Sequence, residues 1–269
     1  MQKILLPTDF SEHSRASALY AAQMAHLMNA RLDIAHVTDI VPSVGIYESA
    51  QQLTDQKLRG AFNALVKAME EAVGESFAYE TFILSGTTTS TLAALAERYE
   101  LVVMSSKGEV DLDRFFLGST TKYLIQQNQA PILVVPPAYT FKKIEKVVWA
   151  LDSHEVTTFK QIHPLPVIAS HFNAKVEIFH HDEGPGEEGL QLDLAIFLED
   201  IEYSIHYDFG NANIIDAILD FAQDAKSDLI AMIHHPRNLL LQFINPSKTL
   251  NSISKSKTPL LVLPERRVE

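Results

Sequence analysis

The chain is expected to be α/β, built as two tandem copies of an open parallel sheet with helices on both faces, and three observations predict it. Short, near-continuous apolar runs alternate with amphipathic stretches, as strands buried on both sides alternate with the helices that cover them. The pattern occurs twice. At an offset of 128, Leu101–Met104 falls on Leu229–Met232 and Ala130–Pro136 on Thr258–Pro264 with no gap between the blocks. At 143, Lys3–Asp9 falls on Lys146–Asp152, and at 144 Asn29-Ala30 matches Asn173-Ala174. The 269 residues also suit two domains of the usual ~100–150 residues.

In the first copy, Ile4–Leu6 is a short apolar strand ended by Pro7. Ser11–Met28 carries Ala18, Leu19, Ala22, Ala25 and Leu27 at helical spacing, and Leu32–Val37 follows as a strand. Ser49–Val73 reads as a helix that buries Leu53, Leu58, Phe62, Leu65, Val66 and Met69. Phe77–Leu84 is then a strand, Thr89–Tyr99 a helix, Leu101–Met104 a strand, Ser119–Asn128 a helix and Ile132–Val135 the last strand. Each copy is therefore a Rossmann-like, five-stranded parallel sheet. The short boundary Pro136-Pro137-Ala138-Tyr139 divides the chain into 1–139 and 140–269, and the lack of a low-complexity linker predicts domains that dock. Sheets of this kind take ligands at the carboxyl ends of the strands, where Asp9, Val37–Asp39 and the segment 105–120 all fall.

Residues 105–120 form a loop with two glycines and a Gly-Ser-Thr exit, placed between a strand and a helix. A phosphate can approach backbone N–H groups only where no Cβ intervenes, and a helix N-terminus adds unpaired donors and a favourable dipole. Gly108 and Gly118 would give that access. Ser119 and Thr120 open the next helix, with hydroxyls able to cap it or to bond a phosphate oxygen.

These residues resemble the universal stress protein family. The likeness rests on Lys-Ile-Leu-Leu-Pro-Thr-Asp-Phe-Ser at 3–11, Ala35-His36-Val37, Met104 leading into Ser-x2-Gly-x9-Gly-Ser, and Ala-Pro-Ile-Leu-Val-Val-Pro at 130–136. It is strong over 1–137 and degenerate over 143–264. The resemblance implies a stress-responsive regulator that binds ATP, with Mg where the phosphates need it, and acts through a protein partner. It also implies a site made of Pro7, Thr8, Asp9, Val37, Met104, Ser105, Lys107, Gly108, Gly118, Ser119 and Thr120. Asp9 and the Val37 backbone would face adenine, while Gly108, Gly118, Ser119 and Thr120 would hold the phosphates. Two residues have structural alternatives: Asp9 as a helix cap beside Ser11, and Lys107 as a solvated lysine.

The first copy departs from the family pattern once, where Ser105 stands in place of the first glycine. A Cβ there weakens binding if the backbone needs positive φ, whereas a serine that is accommodated brings its hydroxyl to the ligand. The second copy departs further: Gly108 becomes Pro236, Gly118 becomes Pro246, and Ser119 keeps its type as Ser247. Proline removes a donor and fixes φ, so no nucleotide is expected there. The resemblance also implies pairing through the last strands, here Ile132–Val135 with Leu260–Leu263 inside one chain, as an intramolecular pseudo-dimer that leaves a further homodimer open.

Of eleven histidines, only His13, His26 and His36 lie in the first copy. His180, His234 and His235 gather with Asp152 at the carboxyl edge of the second sheet, where imidazole and carboxylate would suit a zinc-like ion. The alternative is a set of solvated or hydrogen-bonded edge residues, because neighbours on a strand point to opposite faces. Phe115-Phe116-Leu117 reads as packing or an interaction surface, and Glu70-Glu71 and Glu187-Glu188 as solvated helix faces.

Composition narrows the classes. The formal charge is −12 and both copies are acidic, which argues against nucleic acid as a partner. There is no cysteine, so thiol catalysis and disulfides are excluded. The sequence opens straight into a strand, and no apolar run approaches the ~18 residues of a membrane span; a cytoplasmic protein that makes no use of a membrane is the expectation. No catalytic residues are assigned, since nucleophile-elbow, Walker and zinc-protease motifs are all missing. Slow ATP hydrolysis is the least favoured reading, and a nucleotide-free interaction module is the main alternative to the ATP-binding regulator.

Overall fold

The structure, a computed structural model, describes residues 1–38, 48–107, 116–127, 129–137, 139–151, 162–181, 197–208, 214–234 and 258–264. The first half contains β1 (Lys3–Pro7), α1 (Glu12–Leu27), β2 (Arg31–Thr38), α2 (Glu48–Val73), β3 (Tyr79–Ser85), α3 (Thr88–Ala96), β4 (Leu101–Lys107), β5 (Phe116–Leu117), α4 (Ser119–Gln127) and β6 (Ile132–Val135). In the second half are β7 (Lys146–Leu151), α5 (Pro164–Phe172), β8 (Lys175–His181), β9 (Tyr203–Asp208), α6 (Ile214–Asp224), β10 (Leu229–His234) and β11 (Leu260–Pro264).

One sheet runs through both halves in the order β3-β2-β1-β4-β6-β11-β10-β7-β8-β9, with β5 paired to β4 off this path. Within each half the five strands on this path are parallel. The halves meet where β6 pairs antiparallel with β11, in the register Leu260↔Val134, Leu261↔Leu133 and Val262↔Ile132. The last strands are thus joined inside one chain, as the pairing of Ile132–Val135 with Leu260–Leu263 predicts, and the two five-stranded sheets continue into one. Neither partner is left as an apolar edge.

Strand alternation sorts the core into two layers. Ile4, Leu6, Val103, Leu133, Val147, Trp149 and Leu261 share one face with residues of α1, α2 and α5. On the opposite face, Leu5, Val102, Met104, Val134, Val148 and Val262 pack with residues of α3, α4 and α6. Each layer crosses the seam, so burial of both strand faces holds the halves together.

The repeat is visible in the backbone. Asn29 and Asn173 both adopt positive φ (50° and 52°) just after a helix, a conformation that asparagine tolerates better than most residues. In each case the next residue's N–H closes the helix, Ala30 onto the Ala25 carbonyl and Ala174 onto Ala169. Carboxylates repeat as well. Glu100 accepts the backbone N–H groups of Gln2 and Lys3, and Asp228 accepts those of Glu145 and Lys146, its counterparts at the start of β7.

Partial burial would raise the Glu100 carboxyl, but the N–H groups of Gln2 and Lys3 and the charged chain terminus outweigh it and hold the group below the usual range. A depressed folded pKa contributes stability above the unfolded value, and that contribution is lost as pH falls through the folded one. Denaturant midpoints measured from pH 6 down to pH 3 should therefore fall more steeply for wild type than for Glu100→Gln. Parallel curves would assign the carboxylate no part in acid sensitivity.

Candidate functional site

The chain leaves β1 toward α1 on one face of the sheet and leaves β4 toward α4 on the other, although β1 and β4 are neighbours. Such a divergence opens a crevice at the carboxyl ends of the strands. A cavity of about 370 Å³ lies there.

Its first wall is the exit from β1, where Pro7, Thr8 and Asp9 all line the cavity. The Thr8 N–H donates to the Ala35 carbonyl at 2.9 Å, and the Thr8 hydroxyl accepts the Phe10 N–H at 3.0 Å. Phe10 takes a left-handed φ of 59°, which turns the chain into α1. Asp9 Oδ1 accepts both the N–H (2.9 Å) and the hydroxyl (2.6 Å) of Ser11, and Ser11 caps the helix by accepting the Ser14 N–H. Asp9 therefore braces the cap while bordering the cavity. Burial would raise its carboxyl, but hydrogen bonds from the Ser11 side chain and backbone, and from the Ser14 side chain, hold it below the ordinary value.

The second wall is the end of β2. Val37 and His36 line the cavity with Ala35. His36 Nδ1 lies 2.8 Å from the Thr8 carbonyl, which can only accept, so this nitrogen carries the proton. The Phe10 ring packs on His36 at 4.8 Å and edge-on against Phe62 at 4.9 Å.

The third wall comes from β4 and α4, and here the expected loop is shorter than 105–120. Ser105, Ser106 and Lys107 continue β4, and β5 pairs back on it antiparallel in the register Ser106↔Leu117 and Lys107↔Phe116. Phe116 and Leu117 are thus strand residues, and Leu117 packs against the layer that holds α3 and α4. Met104, Ser105, Gly118, Ser119 and Thr120 line the cavity. The Lys107 side chain and Gly108 lie outside the described residues. Ser105 pairs with Val135 and is not among the residues of positive φ. Its Cβ therefore carries no backbone strain. Thr121 donates its hydroxyl to the Ser105 carbonyl at 3.2 Å, which ties α4 to the strand. Because glycine inside a strand is unfavourable, Ser105→Gly should destabilise the protein by roughly 0.5–1 kcal/mol in chemical denaturation. A gain in stability would mean that the serine is strained after all.

Residues not assigned to the site from the sequence complete the enclosure: the cap Ser11, His13 and Ser14 on α1, Thr88 and Leu92 on α3, and Thr121 on α4. Helix periodicity carried part of this signal. Leu92 was expected on a helix that began at Thr89, one residue after the observed start.

At the carboxyl edge of the second half, His180 and His234 are 5% and 3% exposed. Their neighbours Phe179 and Ile233 belong to opposite core layers, so by alternation the two imidazoles leave the sheet on opposite faces. Among the described residues no group of three or more His, Asp or Glu could hold a metal ion. Asp152 and His235 lie outside the described residues, as do Pro236, Pro246 and Ser247.

Sheet order and crevice together define a tandem Rossmann-like α/β protein with a ligand-sized cavity at the switch point of its first half. The universal stress protein family model matches residues 1–136, and the chain belongs to that family. A universal stress protein of Synechocystis is 24% identical over 300 residues, covering 97% of this chain and 99% of that protein. One from Methanocaldococcus jannaschii is 29% identical over 138 residues, covering 50% of this chain and 81% of its own length. Among solved structures, a universal stress protein from Archaeoglobus fulgidus superposes with a TM-score of 0.76 at 18% identity, covering 98% of both chains. That likeness extends the shared fold over both halves. No helix among the described residues is long and apolar enough to cross a membrane.

Proposed function

We propose that the protein is a stress-response regulator that binds one ATP, in the domain formed by residues 1–139, and acts through a protein partner. One observation carries the reading. Residues named from three separated stretches of sequence, around Asp9, Val37 and Gly118, converge on a single cavity at the switch point. The apolar side chains of Ala35, Val37, Leu92 and Met104 suit a flat base, and the start of α4 suits phosphates. A bound Mg would neutralise part of the triphosphate charge. The domain of residues 140–269 has proline at both positions that correspond to the phosphate-loop glycines, and it serves as a docked partner without nucleotide. Because the last strands already pair with each other, any homodimer would use another surface. In the cell the regulator is cytoplasmic and meets neither nucleic acid nor membrane.

The test is to denature untagged, freshly purified protein, quantify released nucleotide by chromatography, and titrate the emptied protein with Mg-ATP. About one adenine nucleotide per chain is expected. No released nucleotide and no heat at millimolar ATP would leave the interaction-module reading, which the two prolines already favour for the second half.

A further inference from the structure

The hydroxyls around the cavity fall into two sets. Those of Thr8, Ser11, Ser14 and Thr121 are committed to the framework: to the Phe10 N–H, to Asp9, to the Ser11 carbonyl and to the Ser105 carbonyl. Among the described residues, Thr88, Ser105, Ser119 and Thr120 make no side-chain hydrogen bond, although all four line the cavity. The last three belong to the strand end and helix start already assigned to the site from the sequence. Thr88 does not.

Thr88 is the first residue of α3, and Leu92, one turn later, is 3% exposed and borders the same cavity. Residues four apart share a helix face, so the Thr88 side chain stands above Leu92 on the side facing the crevice. The start of α3 is fixed closely. The Gly86 N–H donates to the Thr38 carbonyl at 3.0 Å, and a Cβ on Gly86 would stand 2.4 Å from the Thr91 hydroxyl oxygen. This brings Thr88 to the end of β2, beside the apolar floor of Ala35, Val37 and Met104. A hydroxyl can both donate and accept, and a heteroaromatic ring seated on an apolar floor presents its polar atoms only at the edge.

We propose that Thr88 is a specificity-determining residue of this site, with its hydroxyl hydrogen-bonded to the edge of the ligand's base. The proposal rests on the nucleotide-binding reading above and adds to it a contact from α3 at the base end of the ligand. Thr88→Val keeps the shape and removes the hydroxyl; Thr88→Ser keeps the hydroxyl.

The experiment titrates emptied wild type and both variants calorimetrically with Mg-ATP and, separately, with adenosine. Thr88→Val should weaken both ligands by the same factor, about five- to tenfold, the worth of one hydrogen bond. Thr88→Ser should stay within about threefold of wild type. Unchanged affinity in Thr88→Val overturns the proposal while the nucleotide reading stands. A loss confined to ATP also overturns it, since that places the hydroxyl at the phosphates. If wild type takes up neither ligand, the nucleotide reading falls and the proposal falls with it.

Discussion

Gly118→Val is expected to abolish ATP binding, weakening it by at least about 100-fold, while the thermal unfolding midpoint stays within a few degrees of wild type. The Gly118 carbonyl accepts the Lys122 N–H at 2.9 Å, so Gly118 is the cap residue just before α4. With no side chain there to cap the helix, the first-turn N–H groups depend on water or on a bound anion. A branched side chain at a cavity-lining position would fill the space a phosphate needs. Calorimetry reads the affinity and circular dichroism reads the fold. If the protein is an interaction module without nucleotide, the variant should bind its partner as wild type does and release no less nucleotide, because there is none to release.

The second large effect is expected at the seam. Leu261 is fully buried and pairs with Leu133 across the antiparallel junction. Leu261→Asp puts a carboxylate into an apolar layer with no partner, a change expected to cost more than about 4 kcal/mol. Leu261→Ala leaves only a cavity and should cost about 2–5 kcal/mol. The single tryptophan is a convenient reporter: Trp149 lies on β7, fully buried, with only β10 between its strand and β11. Its emission should shift red at lower denaturant in both variants. An unmoved midpoint in Leu261→Asp would mean that the halves fold independently and that the seam contributes little.

Much of the fold was legible because it depends on burial period. Ile132–Val135 emerged with the bounds read from the sequence, and α1 begins one residue after the expected start, with Ser11 as its cap. The extension of β4 through Ser105–Lys107 was missed because Ser-Ser-Lys contributes no apolar run; partners hold it in the sheet rather than composition. The two-residue β5 is too short to show alternation, and it is defined only by pairing with β4. In the site, the residues that carry a local motif were found. Thr88, His13 and Ser14 were not, because their position depends on where α3 and α1 dock over the sheet. The histidine cluster failed to assemble among the described residues for a reason the sequence also holds, the alternation that sends His180 and His234 to opposite faces.

Because β6 and β11 run in opposite directions, the exits of the five parallel strands of one half point away from those of the other. The protein is consequently two-headed. The cavity beside Asp9 opens at one pole, and the histidine-bearing edge forms the opposite pole. A small molecule at the first head and a bulky partner at the second would never compete for space, and each surface is free to diverge without harming the other. Any message between them has to travel lengthwise, through strands that share one uninterrupted hydrogen-bonded fabric.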